Sequence, residues 1–154
     1  MGGPLLALEQ SGFAAAIRSS VFLYPAANLV HVLGAMIFFA AVAAMDVRLV
    51  TARSPEEARR FVDRVRPAAA AGLLVQLASG VMVLAPEATH LWMNPVFAWK
   101  IGAIALGLAN VVVVEWLLRR WQAGAAPGTV VAAAVVSAGA WLGAAAAGRL
   151  MAYF

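Results

Sequence analysis

The run Ala26 to Leu49, AANLVHVLGAMIFFAAVAAMDVRL, leaves this chain few ways to fold. At 1.5 Å per helical residue, about 20 apolar residues cross a hydrocarbon core of about 30 Å. Ala26 to Met45 meets that length, and its only polar side chains are Asn28 and His31. An ionisable group inside such a span is costly to insert and marks a site by default. His31 is therefore the first residue that needs a role. The 64% hydrophobic and 12% charged content lies far outside the soluble range, which predicts an integral membrane protein in one small domain. With no cysteine, disulfides, thiolate metal sites and a Cys nucleophile are excluded. The net charge of +4 is no nucleic-acid signal, because the arginines cluster beside apolar spans, where topology explains them.

In chain order, residues 1–20 mix Leu5, Leu6, Leu8, Phe13 and Ile17 with Glu9, Gln10, Ser11 and Arg18. That mixture predicts a short helix lying in the membrane interface. No cleavable leader is expected, since this leader is long and the first span exceeds a signal h-region. Tyr24-Pro25 opens the first span, about 26–49. Residues 51–66, TARSPEEARRFVDRVR, predict a short basic surface helix. Ser54 would be its N-cap, Pro55 its first residue, and Glu56 and Glu57 the acids of its first turn. Further spans are expected at about 67–85, 96–118 and 130–148, with a loop at 86–95. Gly139 and Gly143 have the small-xxx-small spacing of close helix contacts. The expected fold is all-α: an integral membrane four-helix antiparallel bundle with an N-terminal interfacial helix.

Arginines crowd the first connection, with Arg119 and Arg120 in the third and no basic residue in the second. By the positive-inside rule, both termini and the second loop face outward in a bacterial inner membrane. His31, His90 and Lys100 then share the outer side. Phe38 lies on the His31 face of the first helix with Gly34 beside it, and Gly107 follows Lys100 down the third. This pattern describes a slot lined by small and flat groups, with imidazole and ammonium at its mouth. A planar anionic cofactor suits it: His31 as iron ligand, and His90 or Lys100 as opposite ligand or propionate partner. Each residue has a plainer reading. His31 can bond across helices, His90 can be an interfacial histidine, and Lys100 can snorkel to headgroups. At the other end, Asp46, Arg48, Glu115 and Arg119 read as a structural clamp, with Glu115–Arg119 an i,i+4 pair. No Walker lysine, Ser/His/Asp set or Met-x-x-Met pair is present.

Tyr24-Pro25, His31-x-x-Gly34, Asp46-x-Arg48-Leu49, Ser79-Gly80, Asn94-Pro95-x-Phe97-x-x-Lys100 and Asn110 resemble a family of small, uncharacterised four-helix bacterial membrane proteins. That family is similar to the membrane domain of the copper-resistance protein CopD and, more loosely, to HemJ-type protoporphyrinogen oxidase. The HemJ likeness implies haem b, with the functional histidine and lysine falling on His31 and Lys100. Ile101 stands where that pattern has leucine. The leading expectation is a b-type haem protein transferring electrons near the periplasmic side, with a periplasmic or quinone-linked redox partner and a homo-oligomer as the partners it allows. Copper or other metal handling of the CopD kind is one alternative. A cofactor-free anchor or assembly subunit is the other.

Overall fold

A computed structural model describes residues 3–124, 128–151 and 153. Seven α-helices account for nearly all of them: α1 (Pro4–Glu9), α2 (Gly12–Ser19), α3 (Leu23–Thr51), α4 (Pro55–Leu84), α5 (Ala88–Met93), α6 (Pro95–Gln122) and α7 (Gly128–Leu150). A 3-10 turn at Ala85–Glu87 joins α4 to α5, and no strand occurs among the described residues. α3, α4, α6 and α7 each carry a segment long and apolar enough to cross a membrane. The chain is a multi-pass membrane protein built as a helix bundle.

Helix starts follow local chemistry. Ser54 Oγ accepts the Glu57 N–H at 3.2 Å, and Pro55 occupies the first turn, as expected. Asn94 caps α6 by accepting the Val96 N–H at 2.8 Å, ahead of Pro95. Three boundaries differ from expectation. The basic surface helix and the second span are one continuous helix, α4, with Pro67 inside it. Proline removes one backbone donor there, yet the helix runs on because apolar packing on both sides of Pro67 holds it to α3 and α6. The expected loop at 86–95 is mostly helical. The N-terminal segment forms two helices, broken where Ser11 caps α2 by accepting the Ala14 N–H.

α3 packs on α4 and α7, and α7 on α6. The α3–α4 contacts join Gly34 to Val75, Phe38 to Gly72 and Arg48 to Glu57, in opposite chain order. The α6–α7 contacts join Lys100 to Gly148, Ala103 to Gly143 and Gly107 to Trp141, again in opposite order. Trp141 fills the middle: its indole meets Phe38 edge-on at 4.6 Å and lies against Gly107. It is core packing. Gly139 has open space beside it, so the tight helix approaches are made at Gly34, Gly72 and Gly107 instead.

The N-terminal helices dock on the 85–93 segment. Thr89 donates its hydroxyl and its backbone N–H (2.7 Å) to the Glu9 carboxylate, and Arg18 donates to the Pro86 carbonyl at 3.0 Å. Ala14 and Ile17 are buried beneath. The Thr89 hydrogen bonds, hydroxyl first and amide second, hold the Glu9 carboxyl below its ordinary 4.5. A carboxyl depressed on folding stabilises the docked state above the ordinary value, and that contribution fades as pH falls through the folded value. The protection of the Thr89 amide against hydrogen exchange, measured relative to the free-peptide rate at the same pH, is therefore expected to be high at pH 6 and to fall below about pH 4.5. In Glu9→Gln that protection should be low at both pH values.

Candidate functional site

His31 sits on the third helical turn of α3 with its ring against α4. Its Nδ1 lies 2.9 Å from Ser79 Oγ, and Ser79 Oγ lies 2.5 Å from the Val75 carbonyl. A serine hydroxyl has a single proton, and the Val75 carbonyl can only accept it. Ser79 Oγ then offers the ring lone pairs alone, so Nδ1 carries the imidazole proton. The Gln76 backbone carbonyl is a further acceptor for the ring. In the neutral imidazole the lone pair is left on Nε2. This is the arrangement in which a histidine ligates a metal while its other nitrogen is held by a neighbour. Gly80 makes room for it: a Cβ there would come 3.2 Å from His31 Cε1.

Lys100 lies on the second turn of α6 and is half-buried. Its Nζ would be 3.4 Å from a Cβ at Gly148, so a glycine on α7 seats it as Gly80 seats His31. The ammonium is close enough for its charge to act on His31. It has no hydrogen bond or ion pair among the described residues. Lys100 of α6 thus acts on His31 of α3 through its charge, and no hydrogen bond joins the two side chains. His90 is elsewhere: it is exposed on α5, and its charge acts on Glu9 of α1. No contact joins His90 to His31 or Lys100 among the described residues, and none of these holds a cluster of three or more metal-ligating side chains.

Gly34, Phe38 and Gly107 form the layer inward of this pair. The space beside Gly34 is taken by Val75, and the space beside Gly107 by the Trp141 indole, with Phe38 against both Gly72 and Trp141. These three are helix-packing positions here. The donor set of a haem site is present, namely an imidazole with a free Nε2 and a cation for a propionate. The expected walls do not fit a macrocycle, because protein side chains fill them.

At the opposite end, Glu115 accepts from three arginines: Arg59 at 2.6 Å, Arg66 at 2.7 Å and Arg119 at 3.1 Å. The i,i+4 pair was legible from spacing, whereas the two cross-helix partners were not. Asp46 and Arg48 each meet another helix. Asp46 bonds Ser137 of α7 and leaves Oδ2 buried without a partner. Arg48 pairs with Glu57 at 3.1 Å. Ser79 was visible in the sequence only as part of the Ser79-Gly80 pair, not as the partner of His31. The spacing to Val75, one turn back, was the available signal, since a serine can return its proton to the i−4 carbonyl.

Comparison of the chain with protein-family models, curated proteins and solved structures finds no match.

Proposed function

We propose that this chain is a four-helix antiparallel bundle of the bacterial inner membrane, with both ends and the α5 segment outward, acting as a b-type haem-binding electron-transfer subunit. The observation that supports this most is Lys100: a half-buried ammonium on an apolar span, without an acceptor among the described residues, whose charge acts on an imidazole with a free Nε2. A charge in that position costs insertion energy that no group among the described residues offsets. An anionic ligand would offset it. The resemblance to HemJ-type proteins, whose functional residues are a histidine and a lysine, implies the same two positions.

In this reading His31 Nε2 would be the iron ligand, and Ser79 with the Gln76 carbonyl holds the ring in the tautomer that exposes it. Lys100 would neutralise a propionate. The bound haem would supply a one-electron couple. The filled layer at Gly34, Phe38 and Gly107 supports the outer layer and does not line it. A single site near one surface requires a redox partner on that side, periplasmic or quinone-linked.

A visible spectrum of protein purified from a haem-supplied host tests this. A Soret band is expected in wild type, lost in His31→Ala, and kept in His90→Ala. Lys100→Met should weaken haem retention roughly tenfold, by removing one charge-assisted contact. A colourless wild type, or an unchanged band in His31→Ala, overturns the reading. Stoichiometric copper without porphyrin would point to the CopD-like alternative.

A further inference from the structure

The arginines near the α3–α4 turn divide into two faces. Arg59, Arg66 and Arg119 converge on Glu115. On the other side of α4, Arg60 and Arg64 have neither a hydrogen bond nor an ion pair among the described residues. They line a cavity of about 310 Å³ together with Arg48, Glu57 and Phe61. One nitrogen of Arg48 reaches Glu57, its guanidinium lies 5.6 Å from the Phe61 ring centre, and its Nε is buried without a partner. Three guanidinium groups thus surround one carboxylate in a concave space. Arg60 and Arg64, four apart on one helix face, repel each other unless an anion lies between them.

We infer that this cavity binds a phosphate group, and that its occupant is the headgroup of an anionic phospholipid. Guanidinium forks match phosphate oxygens in pairs, and Phe61 gives Arg48 a surface that fixes its plane. The position favours a lipid over free phosphate. Arg48 ends the apolar run of α3, where Val47 and Val50 are exposed. The apolar part of α4 begins at Pro67, one turn past Arg64. The cavity therefore lies at headgroup depth, with apolar flanks for acyl chains. Basic pockets beside membrane helices bind such headgroups. The inference needs only the membrane-spanning helices and is independent of the His31–Lys100 reading.

The test is native mass spectrometry of detergent-purified full-length protein titrated with dioleoylphosphatidylglycerol, or in parallel with dioleoylphosphatidylcholine. Wild type should retain one phosphatidylglycerol, and the R60Q/R64Q variant should hold it roughly tenfold more weakly or not at all. R120Q removes an arginine from the same end that stacks on Trp116, and should bind as wild type. Both positions in the double variant are exposed, so the fold is kept, which circular dichroism checks. Equal retention by all variants, or equal retention of phosphatidylcholine, overturns the proposal. So does saturable binding of inorganic phosphate, seen by ³¹P NMR, that phosphatidylglycerol does not displace.

Discussion

Gly72→Val is expected to separate α3 from α4 and to lower stability by about 3 kcal/mol or more, at or beyond the upper range for overpacking. Even the first added carbon would lie 2.7 Å from the Phe38 backbone nitrogen and 2.9 Å from its Cα. Backbone atoms of a continuous helix cannot step aside singly, so the whole helix must move. That movement also stretches the His31–Ser79 contact two turns further out and loosens Phe38 from Trp141. Gly34→Ala should be milder, because its Cβ would meet side-chain atoms of Val75, Cγ1 at 2.7 Å and Cβ at 3.2 Å, in place of backbone, while the stiff β-branched valine keeps the cost above zero. Gly139→Val faces open space and should change stability by less than about 0.5 kcal/mol. Thermal midpoints of the three variants in one detergent check this order. If Gly72→Val melts with Gly139→Val, the close approach of α3 and α4 is wrong.

These glycines show where reading the residues in order stops. The spans themselves were legible, because length and apolarity decide a membrane helix without reference to its neighbours. Which face turns inward was not. A span apolar on all sides has no stripe to mark the packed face, so Gly72 and Gly107 carried no more signal than Gly139. The spacing rule favoured Gly139 and Gly143, and in this chain the tight contacts lie elsewhere. The continuity of α4 through Pro67 escaped for a related reason: proline is a breaker locally, and only packing against α3 and α6 overrides it. Glu9 and Thr89 are eighty positions apart, joined only because α1 folds over the α5 end of the bundle. At the candidate site, His31 and Lys100 were recoverable because ionisable groups in apolar spans are conspicuous. The partner of His31 and the filling of the layer below it depend on helix rotation, which composition does not encode.

That separation between conspicuous charge and hidden packing makes Lys100 the sharper test of function. Lys100→Met should raise the stability of the cofactor-free protein by about 1 kcal/mol, within the range of single stabilising changes. Methionine keeps the length and flexibility of the stem over Gly148 and removes an ammonium that has no acceptor. A lysine at the centre of a span costs about 2.5–3.5 kcal/mol to insert, and one two turns from the helix start costs less because it can reach toward water. The same helix offers the opposite case at its other end. Glu115→Ala leaves Arg59, Arg66 and Arg119 without their shared acceptor, and should lower stability by about 1–2 kcal/mol once partial exposure is allowed for. A residue kept for structure destabilises when removed, as Glu115 should; one kept for a ligand stabilises the empty protein and loses the ligand. Thermal unfolding of the two variants without haem, beside their haem retention, separates the cases. Should Lys100→Met melt below wild type with haem retention unaffected, Lys100 is a structural anchor and the site between α3 and α6 loses its reason to bind an anion.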